Sequence, residues 1–142
     1  MRLRPESRAQ SLGLSHAVSF AGRVSDARLH ELYDECRFLV MPSRDEGFGL
    51  VFLEAMRAGK PCIGGRGAAA EIIQHNVTGL IVDPGSPGSS TELAAAVCRL
   101  FDEPDTCCRF GAAGRERFLS TFTDVRFQSR FVQAMERRPA TL

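Results

Sequence analysis

Several features are scarce in this chain, and each scarcity narrows what it can do. No apolar run in the 142 residues reaches the roughly 20 needed to cross a bilayer, and the amino terminus lacks the apolar core of a secretory signal. A soluble, intracellular protein is therefore expected. Cysteine occurs five times, with Cys107 and Cys108 adjacent and no Cys-x-x-Cys spacing. An odd count in that arrangement fits neither a disulfide framework nor a zinc site, and it suits a reducing cytosol. The three histidines, His16, His30 and His75, are scattered and form no ligand cluster. Net charge is nearly absent, at +1, so bulk electrostatics points to neither nucleic acid nor an acidic partner. Lysine is almost missing: Lys60 is alone among 18 basic residues, a bias of composition to which we attach no function. There is no internal repeat and no low-complexity segment.

What remains is ordinary for one globular domain, 44% hydrophobic and 25% charged, with enough chain for a core. An Arg-rich start leads to Pro5, a good first helical residue, with Gly13 as a stop. Val18-Ser19-Phe20-Ala21 reads as a short strand ended by Gly22. Ser25 can cap a helix with Leu29, Leu32, Tyr33 and Cys36 at helical spacing. Phe38-Leu39-Val40-Met41 is an unbroken apolar run, as a buried parallel strand requires. After a central helix, Gly59 is a stop and Pro61-Cys62-Ile63 the next strand. A loop at Gly64-Gly65-Arg66-Gly67, a helix over 68–74, a turn over 75–79 and a strand at Leu80-Ile81-Val82 follow. Ser89 with Glu92 carries the signature of a capping box, opening a helix whose apolar face is Leu93, Ala96, Val97, Leu100 and Phe101. A helix from Asp105 to about Leu119 comes next, carrying Phe110, Ala113, Phe118 and Leu119. A last helix over 123–138 has a core stripe of Phe127, Phe131 and Met135. Strand and helix alternate from Val18 onward. That order predicts an α/β fold, a Rossmann-like parallel sheet of about four strands with flanking helices.

The stretch that organises the chain is 42–64, PSRDEGFGLVFLEAMRAGKPCIG. If Gly47-Phe48-Gly49 opens the central helix, the amides of Phe48, Gly49, Leu50 and Val51 have no intrahelical acceptor and form a small anion cradle. Glycines on both sides of Phe48 let a ligand approach the backbone. Glu46 precedes the turn and Glu54 lies eight positions later, inside the helix. Carboxylates accept hydrogen bonds from hydroxyls rather than binding phosphate. A molecule with hydroxyls on both sides of a diphosphate is a nucleotide sugar. The spacing alone is weak, since with 10 glutamates about 0.7 such pairs arise by chance. On spacing alone the blander reading is favoured, with Glu54 a carboxylate on a solvated helix face, and Arg57 one turn on its available partner.

The neighbouring residues add a resemblance. Pro42-Ser43, Glu46-Gly47-Phe48-Gly49, Glu54-Ala55-Met56 and Gly59-Lys60-Pro61 resemble the donor motif of retaining glycosyltransferases with two Rossmann-like domains. That is the GT-B, family 4-like group containing sucrose synthases and many bacterial lipopolysaccharide and mannosyl transferases. Val18-Ser19-Phe20-Ala21-Gly22 before it, and Glu71-Ile72-Ile73 and Thr78-Gly79-Leu80-Ile81-Val82 after it, extend the match from about Leu12 to about Phe122. The resemblance implies that residues 1–142 are part of the carboxyl-terminal, nucleotide-sugar-binding half of such an enzyme, in the cytoplasm or peripheral to the inner face of a membrane. It implies that Glu46 contacts the donor hexose as the catalytic-site carboxylate and that Glu54 contacts the ribose. The amides of Gly47, Phe48, Gly49, Leu50 and Val51 would face the sugar and the diphosphate, and Arg23 and Val24 would offer contacts to the base. No metal and no cofactor is implied. Glu71 matches a family glutamate, but Ala68 and Ala70 replace the glycine and proline that precede it, so we read it as structural.

The family's strand-helix-strand that carries a paired Arg and Lys for the diphosphate has no counterpart here, nor has its acceptor domain. Arg23, Arg44 and Arg66 lie near the loops as partial replacements. In a sheet ordered 3-2-1-4-5-6 the Val18 strand would be strand 3 and the Phe38 strand would be strand 4. Strands 1 and 2 would then be missing between them, leaving a gap, an exposed edge at the Phe38 strand, marginal stability and a tendency to associate. The resulting reading is hexosyl transfer from a nucleoside diphosphate sugar to an acceptor hydroxyl with retention, with no turnover by these residues alone. The alternatives are a non-catalytic nucleotide-binding remnant and a subunit whose acceptor domain sits on another chain.

Overall fold

The structure is a computed structural model and describes residues 4–43, 47–123 and 125. It divides into two compact units, residues 1–31 and 32–142. In the first, helix α1 (Pro5–Ser11) begins with its proline, whose fixed φ and missing N–H suit the first turn. Gly13, at φ +70°, ends it, and the Leu14 amide returns to the Ala9 carbonyl at 2.9 Å. The strand expected at Val18-Ser19-Phe20-Ala21 does not form. Val18 and Phe20 are exposed, and no ladder includes them, because among the described residues the segment has no neighbouring strand to supply its hydrogen bonds. Ser25 does cap the next helix, its Oγ accepting from the Arg28 amide at 3.3 Å. That helix, α2 (Asp26–Glu35), carries the chain into the second unit.

The second unit is built on a parallel sheet of three strands in the order β1 (Leu39–Met41), β2 (Cys62–Gly64), β3 (Gly79–Ile81). Leu39 is in register with Cys62, and Cys62 with Gly79. Sequence order equals spatial order, which is one wing of a doubly wound sheet. The strand count is three among the described residues, one fewer than expected, and the difference is the Val18 segment. The connections are the helices α3 (Leu50–Arg57) and α4 (Ala68–Ile72). After β3 the chain forms α5 (Ser89–Asp102) and α6 (Pro104–Thr121).

The core lies around β2, all of which is buried. Ile63, Leu80, Val82, Leu100 and Phe110 form one cluster, with Phe38, Leu93, Ala96 and Val97 packed against it. Phe52, Ala55 and Met56, spaced i, i+3, i+4, turn one face of α3 inward with no accessible surface. Gly111 and Gly114 allow α6 to come close to α3. A Cβ on Gly111 would stand 2.2 Å from the Gly59 carbonyl oxygen, and one on Gly114 would touch Met56. Burial pushes the Cys62 thiol up to about 12, with the Cys36 thiol nearby adding to the effect.

Two sequence expectations for α5 are corrected. Gly88, left-handed at φ +93°, takes the cap position, so Ser89 is already inside the helix and its hydroxyl caps nothing. Glu92 instead accepts from the Asp83 amide at 3.2 Å, tying α5 to the segment after β3. Phe101, expected on the apolar face, is exposed, with the Arg37 guanidinium 4.8 Å from its ring centre. Leu119 of α6 is likewise exposed. The helix expected over 123–138 lies almost entirely outside the described residues.

The outer edge of β3 is closed by the turn before it. The Asn76 amide donates to the Gly79 carbonyl at 2.8 Å, and the Ile81 amide donates to His75 Nδ1 at 2.9 Å. Buried Thr78 Oγ1 accepts from the Gln74 amide, holding the same turn. On the other side of the sheet, β1 pairs with β2 alone among the described residues.

Candidate functional site

At the carboxyl end of β1, Pro42 and Ser43 lead into residues 44–46 and then to Gly47-Phe48-Gly49 and α3. Gly65, just after β2, makes room for this exit. A Cβ there would sit 2.1 Å from the Ser43 carbonyl oxygen. The two chain segments therefore pass at a distance that only glycine permits.

Gly49 is the cap of α3, in the left-handed conformation at φ +66°. A side chain there would also meet Ile72 Cδ1 at 2.7 Å and Phe52 Cδ2 at 3.0 Å, so backbone and packing both demand glycine. Gly47 is different. A Cβ on it would meet nothing within 4 Å among the described residues. Phe48 between them is 85% exposed and Leu50 63%, so the turn stands out from the body of the unit. The Phe52 amide bonds to the Gly49 carbonyl at 3.0 Å, while the helix offers the Leu50 and Val51 amides no acceptor. The helix start thus presents donors with a favourable dipole for an anion, an effect of about 0.3–1 kcal/mol. The expectation of a helix opening at Gly47-Phe48-Gly49 holds, with its first residue at Leu50.

Glu54 lies four residues beyond Leu50, about 6 Å along the axis. Its carboxylate is half-buried and does not pair with Arg57. Glu54 Oε2 accepts from the Tyr33 hydroxyl at 2.9 Å instead. Burial, then the hydrogen bond and charge of Glu54, raise the Tyr33 phenol well above its ordinary value. Nothing in the sequence assigned Tyr33 to this site, because the pair is 21 residues apart on two helices. The far end of α3 is fixed by a Schellman motif: the Gly59 amide reaches Met56 and the Lys60 amide reaches Ala55, each at 2.9 Å.

The remaining expected site residues divide by location. Glu46 and Arg44 lie outside the described residues. Arg23 and Val24 belong to the first unit, after Gly22 at φ +62°, with Arg23 exposed and Val24 half-buried. Arg66, between β2 and α4, is ion-paired with Asp83 at 3.0 Å. Glu71 is exposed, and its carbonyl and that of Ile72 accept from Arg117, which caps the end of α4. A cavity of about 110 Å³ opens at the carboxyl ends of the strands among Pro42, Val82, Pro84, Ser89, Ser90 and Leu93. A larger one, about 430 Å³, is at the opposite end, where Arg37 and Pro61 precede β1 and β2. Among the described residues no three His, Cys, Asp or Glu side chains are placed to hold a metal ion, and no helix is long and apolar enough to cross a membrane.

The parallel sheet and its flanking helices match the carboxyl-terminal domains of GT-B glycosyltransferases. The chain is a member of the family described as glycosyl transferases group 1, whose pattern matches residues 1–117. It is 40% identical over 117 residues to a GDP-mannose-dependent alpha-(1-6)-phosphatidylinositol monomannoside mannosyltransferase of Mycobacterium tuberculosis, a match covering 76% of this chain and 29% of that protein. Among solved structures it resembles the sucrose-phosphate synthase of Thermosynechococcus elongatus, with a TM-score of 0.81 and 30% identity over 92% of this chain and 32% of the other. HepE of Anabaena in complex with UDP gives a TM-score of 0.79 and 27% identity, over 92% and 35% of the two chains. The chain thus spans about a third or less of the length of these proteins.

Proposed function

We propose that this chain forms the donor-binding part of a hexosyltransferase that uses a nucleoside diphosphate sugar and retains anomeric configuration. The observation that carries the proposal is α3: an open helix start at the carboxyl end of β1, with Glu54 half-buried one turn along. Gly47 supports it, since a Cβ there would meet nothing within 4 Å among the described residues. A ligand lying against that backbone supplies a reason for the glycine. HepE is seen with UDP and with UDP-glucose, and the mycobacterial relative is named for GDP-mannose. A ribonucleoside diphosphate is the chemistry these ligands share, and UDP-glucose and GDP-mannose carry a hexose beyond it.

In this reading the amides of Gly47, Phe48, Gly49, Leu50 and Val51 face the sugar and the diphosphate. Glu54 accepts from the ribose hydroxyls, and Glu46 accepts from the hexose. Charge building on the leaving diphosphate is met by preorganised donors, usually the largest catalytic contribution in such sites. Arg66 is committed to Asp83 and contributes little to that charge. The acceptor is held by parts of the relatives' length that this chain does not span, on the same or another polypeptide.

Calorimetry on two variants tests the roles. Glu54→Gln is expected to weaken a nucleoside diphosphate by about 1–2 kcal/mol, the loss of a charged acceptor to a hydroxyl. Glu46→Gln is expected to leave the plain diphosphate unchanged and weaken only its sugar conjugate. Equal effects of both variants on both ligands would refute the assignment.

A further inference from the structure

We propose that Tyr33 is a positioning residue for donor recognition: its hydroxyl fixes the Glu54 carboxylate in the orientation that accepts the ribose hydroxyls. This deepens the donor-binding reading above and rests on it. A glutamate on a helix surface has three rotatable bonds, and ordering them costs rotamer entropy. Tyr33 Oη, 2.9 Å from Oε2, removes that freedom before any ligand arrives. Tyr33 is 9% exposed, and like any phenol it keeps its proton at physiological pH and donates it to Oε2. Bonding at Oε2 leaves Oε1 for a ligand hydroxyl.

Tyr33 is itself held. It occupies the last turn of α2, where Lys60 Nζ donates to the Asp34 carbonyl at 2.8 Å. Lys60 follows the Schellman turn that ends α3, so both ends of the Tyr33–Glu54 pair are tied to the same piece of backbone. Cys36 Sγ, 3.3 Å from the Tyr33 carbonyl, completes that turn. The single lysine and the single tyrosine of the chain thus serve one carboxylate.

With no tryptophan in the chain, intrinsic fluorescence comes from Tyr33 alone, which gives a readout in the unmodified protein. A carboxylate quenches the phenol it accepts from, so a ribose that engages Glu54 is expected to change that emission. UDP and GDP are expected to do so, and their 2′,3′-dideoxy analogues are not. Calorimetry on Tyr33→Phe is expected to show about three- to tenfold weaker binding of the ribonucleoside diphosphate, the net worth of one ordinary hydrogen bond because Tyr33 acts through Glu54, with the dideoxy form unaffected. In the Glu54→Gln background Tyr33→Phe is expected to have no further effect on binding.

A hydrogen bond that only satisfied a buried phenol would move the melting temperature and nothing else. Tyr33→Phe binding ribonucleotide as tightly as wild type, while wild type still prefers ribose to dideoxyribose, overturns the proposal and leaves the donor reading intact. Absence of that preference in wild type, with Glu54→Gln also silent, refutes the donor reading itself. Should Tyr33→Phe fail to fold, the fluorescence titration decides: an emission that UDP and GDP leave unchanged, while calorimetry shows them bound with ribose preference, overturns the proposal.

Discussion

Strands β1 and β2 have the same length and similarly apolar sequences, and they are neighbours in one parallel sheet, yet they occupy different environments. Cys62-Ile63-Gly64 is buried throughout, whereas in Leu39-Val40-Met41 the flanking residues are half-buried and Val40 is 39% exposed. Among the described residues β2 has a ladder on both sides and β1 on one. Apolar composition therefore reports that a strand is covered by helices above and below, and says nothing of how many strands lie beside it. In a parallel sheet these are separate sources of burial.

The largest effect that would sharpen this comparison is at Ile63. Ile63→Ala is expected to destabilise the chain by about 2–5 kcal/mol, the usual cost of a cavity at a fully buried site. Chemical denaturation measures it directly. A cost below about 1 kcal/mol would mean that β2 is not the centre of the core.

A smaller effect distinguishes the strands by pH. The Cys62 thiol, ordinarily near 9, is pushed up to about 12 in the folded chain. Between those values the unfolded chain has lost the proton and the folded chain has kept it. The stabilisation is thus fully present below about pH 9 and disappears as pH rises towards 12, by an amount on the order of a few kcal/mol. Cys36, Cys107 and Tyr33 are raised in the same direction, so Cys62→Val should flatten the alkaline decline without abolishing it. Denaturation curves at a series of alkaline pH values check this, and an unchanged slope in Cys62→Val would count against burial as the cause. β1 carries no titratable side chain and takes no part.

The smallest effect belongs to β1. Val40→Ala is expected to cost about 0.5–1 kcal/mol, because much of the side chain already meets water. Val40→Lys should reduce self-association of the purified chain, seen by sedimentation, because charge on an edge strand opposes pairing. Association unchanged by this substitution would place the contact elsewhere.

How much was legible in the sequence follows from the same physics. The runs that became β1, β2 and β3, and the helices between and after them, carry local signals: apolar periods, Gly59 as a stop, Pro5 at a helix start. Val18-Ser19-Phe20-Ala21 carries the same apolar signal and failed, since a strand needs a partner that the segment itself cannot announce. The Ser89–Glu92 box failed because Gly88 could adopt the left-handed cap and Asp83 offered Glu92 another amide. At the site, Gly49 and Glu54 were visible as a motif on one helix. Tyr33 was visible only as one more residue of an apolar face, because its partner is distant in sequence and close only after folding.

The closed edge of β3 has a consequence for assembly. His75 accepts the Ile81 proton through Nδ1, so the imidazole stands where another strand's carbonyl would have to lie. One rim of the sheet is sealed by a side chain, and at the other β1 pairs with β2 alone among the described residues. Two copies that met through this rim alone would close as a two-fold pair, the same patch facing itself.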